Sequence, residues 1–424
     1  MKLRKIAAVL IAIVVLCAAP IGGLVGVDCM SFFAPQAEAA GKTYKVGDIV
    51  EFGSYPQSRI TNSSLVSALN KVSKNWVSYG YYSGTGDYGT MVQGNWMKYA
   101  DFTYNGTKYR AVTFSQYRPY RIYNPSSSNT SNQYSNGYTP NKIYYFKYEP
   151  LKWRVLDPSA GLVLCESIID SQAYSNTVYC YGRDPYDEYD AYWNDAEHTH
   201  YANDYATSSI RAWLNDDFYN TAFSSSQKAS ILTSKLDNRA CSTSYSEYDS
   251  ETTYDKVFLL SWSEMQNTAY GFSASTSSSP TRQAKGTDYA KCQGVDVDSS
   301  SKCSEQRLRS AGGISSHACS VYNDGTLHDI GWGVYDTSNG VRPAIKISNL
   351  SSAISKSGGS GSSSGNSTKN TTAKPAGGNN VVTDAPQGVT ESETFAQINA
   401  EVEKEASTAE IKFYGDFKYI VVKA

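Results

Sequence analysis

Alternation of apolar and polar residues predicts antiparallel strands in the first part of the chain. Residues 45–52 alternate weakly and then reach the turn-forming residues 53–56, which predicts a strand that ends in a turn. Further strands are expected over residues 108–114, 142–148, 151–156 and 161–166. Their spacing is typical of a meander of antiparallel strands.

A helical repeat follows these strands. Ile210, Trp213 and Leu214 recur at positions i, i+3 and i+4, directly after serines 208 and 209, whose side chains can cap a helix. The same periodicity arguments place Trp153, Trp213 and Leu214 in the core.

Strand patterns return after the helical segment. The capping boxes at residues 224–227 and 261–264 predict short helices. Compact apolar runs predict strands over residues 257–260, 318–322 and 341–347. Strands followed by helices and again by strands predict an α+β domain of antiparallel strands with a few short helices, rather than alternating βαβ units.

The first forty residues have the three parts of a secretory signal. Basic residues within the first five positions precede an apolar run over residues 6–27, and the small-residue sequence at 37–40 is typical of a cleavage site. The apolar run is also long enough for a membrane anchor. Proline and glycine within it favour a cleaved signal peptide over residues 1–40.

Composition divides the remaining chain into three parts. Residues 41–350 form the predicted main α+β domain, with an insertion rich in tyrosine, glycine and serine over about 75–141. Residues 351–393 contain no aromatic residue and are predicted to be a flexible linker. Residues 394–424 combine a capped helix with a hairpin, whose strands flank residues 415 and 416.

Charge and hydropathy limit the possible partners and location. The chain has 424 residues and a formal net charge of −2, and only 18% of its residues are charged. Such a chain has no overall positive electrostatic field that would attract nucleic acid or anionic lipid. A second long apolar stretch is absent from the sequence. We therefore expect no nucleic-acid partner, no membrane span after signal cleavage, and a location outside the cell or in the cell envelope.

Removal of the signal leaves an even number of cysteines. Six thiols in an exported protein allow 15 disulfide pairings, although several could equally be buried free thiols. No CxxC sequence occurs, which argues against a thiolate zinc site. The six residues are Cys165, Cys180, Cys241, Cys292, Cys303 and Cys319.

Seven ordered sequence blocks resemble an uncharacterised family of exported bacterial proteins that is known only as a domain of unknown function. The resemblance extends over roughly residues 45–350 and implies no established activity. The blocks are VGDIVEFGSYPQ, YFKYEPLKWRVLD, SSIRAWLNDDFYNTAF, DKVFLLSWSE, GTDYAKCQG, RLRSAG and NGVRPAIKI.

The last third of this region resembles the C-type-lectin-like fold, through an LRS strand, a short strand ending in a turn, and a closing VRP strand. Formylglycine-generating enzymes share that fold and hold copper with a cysteine pair. Cys292 and Cys303 are the nearest candidates here, but Cys292 lies in a predicted helix and the surrounding residues do not match. The resemblance bears on the fold and implies no oxidase activity.

Candidate metal sites have incomplete ligand sets. Trp193-Asn194-Asp195 spells the calcium-and-sugar motif of animal C-type lectins, but it precedes the predicted helix instead of lying near the closing strands. Asp296 and Asp298 resemble half of a calcium loop that lacks the usual glycine and distal glutamate.

The histidines are equally weak candidates. Glu197, His198 and His200 have no further ligand nearby in sequence, and His317 and Cys319 are not spaced as a nucleophile and its base. We expect no metal, no cofactor and no catalytic residue.

The segment over residues 321–339 is the best candidate for a ligand-binding surface. Tyrosine and tryptophan supply contact area at low entropic cost, while asparagine and aspartate adapt their hydrogen bonds. In diversified lectin-like proteins the ligand surface has an equivalent position. A tyrosine-rich ribbon packed on its own domain is the alternative. The proposed ligand-binding residues are Tyr322, Asn323, Asp324, Trp332, Tyr335 and Asp336.

Together these features predict a secreted or cell-surface binding or adhesion protein without catalytic activity, whose partner is an unidentified extracellular glycan or protein. An extracellular enzyme acting on cell-envelope or environmental glycans is the alternative. A structural surface protein without a specific ligand is a third possibility.

Overall fold

A computed structural model describes residues 43–83, 90–121, 124–128, 130–176, 179–180, 191–192, 200–356, 410–414 and 417–421. Within these residues the strands, in chain order, are β1 (Ile49–Arg59), β2 (Val77–Ser83), β3 (Thr90–Tyr104), β4 (Thr107–Phe114), β5 (Pro119–Arg121), β6 (Asn124–Ser128), β7 (Ile143–Asp157), β8 (Leu162–Cys165), β9 (Asp170–Ser171), β10 (Tyr179–Cys180), β11 (Ala191–Tyr192), β12 (Ile231–Leu232), β13 (Ser234–Asn238), β14 (Ser250–Asp255), β15 (Val257–Phe258), β16 (Gln306–Ala311), β17 (His317–Val321), β18 (Leu327–Gly333), β19 (Gly340–Val341), β20 (Ala344–Ile347), β21 (Glu410–Tyr414) and β22 (Phe417–Val421).

The described helices are short. The α-helices are α1 (Ser63–Asn70), α2 (Thr130–Ser135), α3 (Ser209–Trp213), α4 (Tyr219–Ala222), α5 (Ser225–Ser230), α6 (Asp288–Gln293) and α7 (Leu350–Lys356). A π-helical turn (Leu214–Phe218) joins α3 to α4, and 3₁₀ turns occur at Thr243–Tyr248, Glu264–Gln266 and Thr268–Tyr270. None of the described helices has the length and apolar character needed to cross a membrane.

Two sheets organise the main unit. A nine-stranded antiparallel sheet has the order β12-β20-β8-β7-β4-β3-β2, with β1 beside β7 and β15 beside β20. A five-stranded sheet has the order β18-β17-β16-β19-β9, in which the β16–β19 pair is parallel. Antiparallel sheets with a few short helices agree with the predicted α+β class. The tyrosine-rich stretch predicted as an insertion contributes β2, β3 and β4 to the larger sheet.

The predicted turn at residues 53–56 is wrong, because β1 continues through it to Arg59. The register of β1 against β7 shifts between Glu51 and Ser54 and again between Pro56 and Ser58. Gly53 has a φ of +73°, and a Cβ there would lie 2.6 Å from the Phe223 ring. Glycine therefore makes a bulge that bends the strand over the core instead of ending it.

The strand predicted over residues 341–347 is divided in the structure. Val341 ends β19 in the five-stranded sheet, whereas Ala344 begins β20 in the nine-stranded sheet. Arg342 and Pro343 lie between them. Arg342 is buried and donates its Nε–H to the Cys165 carbonyl at 2.7 Å. This crossing joins the two sheets.

The two strands predicted over residues 142–148 and 151–156 form one continuous strand in the structure, β7.

The predicted helix caps and core tryptophans are confirmed. The Ser208 side chain accepts a hydrogen bond from the Arg211 amide at the start of α3, and the capping box between Ser224 and Gln227 opens α5. Trp153, Trp213 and Leu214 are all buried. Trp153 also donates its indole N–H to the Phe52 carbonyl at 2.7 Å.

The chain divides into two units, residues 1–362 and 363–424. Residues 351–356 of the predicted linker lie in α7. In the second unit β21 pairs antiparallel with β22. The helix predicted before that hairpin lies outside the described residues.

Candidate functional site

Three aromatic rings meet on one face of the β17–β18 hairpin, at the end of the five-stranded sheet. The rings of Tyr322 and His328 are stacked with their centroids 4.6 Å apart. The Trp332 ring packs edge-on against both, at 6.3 Å from Tyr322 and 5.6 Å from His328. Trp332 remains 38% exposed. We call these three residues the aromatic platform.

The strand register explains why the rings meet. Ser320 on β17 pairs with His328 on β18, and Ala318 pairs with Trp332. Directly paired residues of antiparallel strands project to the same face, as do residues two apart along one strand. Tyr322, two residues after Ser320, therefore projects on the face that carries His328 and Trp332.

Gly331 permits a bulge in β18 between His328 and Trp332. The register of β17 against β18 shifts between Ala318 and Ser320. Gly331 has a φ of +77°, and a Cβ there would lie 1.9 Å from the Ala318 carbonyl oxygen. A side chain at this position would separate the strands, so the platform depends on glycine.

Two buried arginines hold the hairpin by its carbonyl groups. The Arg307 guanidinium donates to the carbonyl oxygens of Trp332 at 2.8 Å and Gly333 at 2.6 Å. Arg282 donates its Nε–H to the Gly325 carbonyl, in the turn between the strands, at 2.7 Å. Because a guanidinium donates several hydrogen bonds in a fixed planar geometry, these contacts fix the position of the platform.

A carboxylate with an altered pKa adjoins the platform. Burial raises the pKa of Glu305 to about 7, and the neighbouring Asp296 carboxylate adds to the rise. A hydrogen bond from the Trp332 indole and the positive charge of Arg307 act in the opposite direction. Burial also lowers the pKa of His328, which favours a neutral imidazole at pH 7.

Two polar atoms at the platform have no partner among the described residues. They are the Ser320 hydroxyl, on a fully buried side chain, and Nδ1 of His328. Buried polar atoms without a hydrogen bond are uncommon in native proteins and call for a partner such as water or a ligand. The platform therefore combines an aromatic surface and a protonatable carboxyl group with two polar atoms that are buried beneath it.

The structure separates the six sequence-predicted site residues. Tyr322 and Trp332 lie together on the platform. Asn323 lies in the hairpin turn, half-buried, and Asp324 is exposed there, where its carboxylate accepts hydrogen bonds from the Thr326 amide at 2.8 Å and hydroxyl at 3.0 Å. That contact stabilises the turn.

The other two predicted residues follow β18. Tyr335 is half-buried, and its ring packs against Gly333, where a Cβ would lie 2.9 Å from the ring. Asp336 is buried, and its carboxylate accepts hydrogen bonds from the Ser338 amide at 2.7 Å and hydroxyl at 2.6 Å, and from the Asn339 amide nitrogen at 3.2 Å. With its carboxylate satisfied internally, Asp336 supports the loop instead of facing a ligand.

Sequence reasoning missed Glu305 and Ser320 as members of the site. His328 lies within the predicted segment over residues 321–339 but is not among the six predicted residues. The period-two pattern of the strand over 318–322 puts Ser320 on the same face as Tyr322 and was available as a signal. Glu305 directly precedes β16, and only the pairing of Gln306 with Val321 brings it beside Tyr322.

A second polar cluster lies between the two sheets. The Tyr55 hydroxyl on β1 donates to Asp170 on β9 at 2.9 Å, and the Ser171 amide donates to the same carboxylate at 2.7 Å. Burial raises the pKa of Asp170 to about 6, while the positive charge of Arg118 opposes the rise. Asp170 and Arg118 are both fully buried. This cluster joins the sheets and offers no surface to a ligand.

The weaker metal and nucleophile candidates have the following positions. Trp193, Asn194 and Asp195, together with Glu197 and His198, lie outside the described residues. Asp298 caps its own loop, because Oδ1 accepts hydrogen bonds from the amides of Ser300 at 2.9 Å and Ser301 at 2.7 Å. Across the described part of the chain, no three histidine, cysteine, aspartate or glutamate side chains are grouped as metal ligands.

The cysteine candidates have separate environments. Cys292 lies in α6, as the sequence predicts. The Cys303 thiol donates to the Ser301 carbonyl at 3.7 Å. The Cys319 thiol is directed at backbone carbonyls, and the nearby His317 ring nitrogen Nδ1 is 3.0 Å from the Ser316 hydroxyl. Burial lowers the pKa of His317 to about 4.

Residues 166–349 match the family model of a domain of unknown function, DUF6273. The expected resemblance to an uncharacterised family is thereby confirmed for this part of the chain. The matched region begins directly after β8 and includes the whole aromatic platform. A search of curated proteins and a search of solved structures each found no significant match.

Proposed function

We propose that this protein is an exported, non-catalytic binding module that binds a glycan on the aromatic platform. The observation that carries the proposal is the platform itself, in which an exposed tryptophan packs with Tyr322 and His328 beside the Glu305 carboxyl group. The proposed location is the cell envelope or the extracellular space.

The chemistry of the platform favours a sugar. One face of a pyranose ring presents C–H groups that pack on the electron-rich face of an aromatic ring, while its hydroxyl groups donate and accept hydrogen bonds. The Glu305 carboxyl group, hydrogen-bonded to the Trp332 indole, supplies a polar partner beside the rings. A mainly aromatic surface with a small number of placed polar groups is typical of a small-ligand site.

We further propose that the main unit has a C-type-lectin-like arrangement. Support comes from the closing hairpin, which carries the platform between the LRS strand and the VRP segment. In proteins of that fold the ligand surface has an equivalent position, so the fold and the site proposals support each other by analogy.

A glycan array probed with the chain lacking residues 1–40 tests the proposal. We expect reproducible binding, and we expect Trp332→Ala to weaken it at least about tenfold, which corresponds to ~1.4 kcal/mol. Ile330→Ala is the matched control, because Ile330 lies on the same strand and is 44% exposed. Equal affinities for the two variants, or no binding to any glycan, would contradict the proposal and leave a structural surface protein.

The pKa of Glu305 favours one further candidate, an enzyme acting on extracellular glycans. A carboxyl group that is half-protonated near neutral pH can act as a general acid, and Asp296 is a second carboxylate beside it. Release of reducing sugar from a bound glycan would support this activity. In that case Glu305→Gln should abolish release but retain binding, whereas unchanged release would exclude Glu305 as the acid.

A further inference from the structure

Cys241 and Cys319 converge on the same backbone atom. Each thiol lies 3.3 Å from the carbonyl oxygen of Asp329 in β18, so the two sulfur atoms are no more than twice that distance apart. Both residues also contact Ala311: the Cys241 amide donates to its carbonyl at 3.3 Å, and the Cys319 thiol donates to it at 3.2 Å. The two cysteines are separated by 78 positions in sequence but are neighbours in the fold.

The two thiols differ in exposure and acidity. Cys241 is half-buried and lines a surface cavity of about 270 Å³, whereas Cys319 is fully buried. A hydrogen bond from Cys319 lowers the pKa of Cys241, and burial raises the pKa of Cys319 well above its usual value. Cys241 is therefore the accessible thiol that ionises first, and Cys319 is placed to resolve its adduct.

We propose that Cys241 and Cys319 form a disulfide bond when the chain meets an oxidising environment. The oxidant is an external disulfide, either a small molecule or a dithiol oxidoreductase. The Cys241 thiolate attacks one sulfur of that disulfide and expels the other as a thiolate. The Cys319 sulfur, losing its proton, then attacks the mixed disulfide and expels the second thiolate. Two protein thiols are thus oxidised to one disulfide while one external disulfide is reduced to two thiols.

The disulfide bond would link the hairpin that carries the platform to the connection between β13 and β14. Cys319 lies on β17 at the bulge that Gly331 permits, and Cys241 lies in the connection between β13 and β14. A covalent link between these segments holds β17, and with it the strand pair that carries Tyr322 and Trp332. Formation of this disulfide requires no glycan ligand, since it depends only on the positions of the two sulfurs.

Peptide mapping under non-reducing conditions tests the pairing. The purified, folded chain is equilibrated with oxidised glutathione, its free thiols are alkylated, and it is digested with trypsin. Cleavage after arginine and lysine places the two cysteines on separate peptides, residues 240–256 and 310–346, each with a single cysteine. We expect these peptides to be joined, with a mass two hydrogens below their sum. Alkylation of both peptides, or a bond from either to a different cysteine or a second chain, would overturn the proposal.

Serine variants separate this bond from general effects of reductant. The oxidised parent should lose roughly 5 °C of melting temperature when a dithiol reductant is added. Cys241→Ser should remove this sensitivity. Cys241 is more exposed than Cys319, so its replacement should disturb the fold less than Cys319→Ser. Cys303→Ser is the control, because Cys303 is buried elsewhere and should retain the full sensitivity. Equal sensitivity in Cys241→Ser and Cys303→Ser would refute the assignment.

Discussion

Replacement of Asp170 by asparagine should make the protein less sensitive to pH. Asp170 is fully buried between the two sheets, and burial raises its pKa from an ordinary 3.8 to about 6 in the folded state. The folded chain therefore binds this proton more tightly than the unfolded chain. The stabilising effect of the neutral carboxyl group is fully present below pH 3.8 and is lost as the pH rises through 6.

The size of the effect follows from the change in pKa. A shift of roughly two units corresponds to about 3 kcal/mol between the two protonation states. Asparagine resembles the neutral acid in shape and has no ionisation, so the variant lacks this term. Between pH 4 and pH 8 the free energy of unfolding of the parent should fall by about 2.4 kcal/mol relative to that of Asp170→Asn, because the unfolded group is already partly ionised at pH 4.

Urea unfolding of both proteins at a series of pH values measures the difference directly. Asp157→Asn is an informative control, because hydrogen bonds from Ser159 and the Ala160 amide lower the pKa of Asp157. That residue stabilises the fold above its unfolded pKa and loses this effect as the pH falls, which is the opposite direction. Parallel pH profiles for the parent and Asp170→Asn would refute the reasoning.

Three further predictions concern packing, backbone and metal. Trp213→Ala should cost about 3–5 kcal/mol in urea unfolding, because the buried ring stacks on Phe218; a melting temperature within two degrees of the parent would contradict this. Gly331→Ala should destabilise the fold more than Gly106→Ala, since both have positive φ but only the first would meet a carbonyl oxygen; equal losses would show that the contact relaxes. Millimolar calcium or a chelator should leave the melting temperature unchanged, and a shift of several degrees would reveal a calcium site.

Local chemistry was readable in the sequence wherever a few adjacent residues decide the structure. The Ser208 cap and the Ser224–Gln227 capping box each depend on a side chain and an amide within one helical turn. Burial of Trp153 and Trp213 followed from their periodicity.

Tertiary contacts decided the remaining features. Residues 53–56 are typical of a turn, but β1 pairs with β7 on both sides of Gly53, so the irregularity becomes a bulge within one strand. Val341 and Ala344 are close in sequence, yet Arg342 directs them into different sheets through carbonyl contacts. Periodicity alone carries no information about which sheet a strand enters.

The candidate site shows the same division. The sequence identified Tyr322 and Trp332 by residue type, but it also included Asp336, whose carboxylate the loop itself satisfies. Glu305 joins the platform only through strand pairing, and Cys241 meets Cys319 across 78 positions of chain. Residue chemistry and local periodicity are properties of short segments, and the sequence by itself determined them. Proximity between distant segments is set by sheet register and buried hydrogen bonds, which exist only once the whole chain has packed.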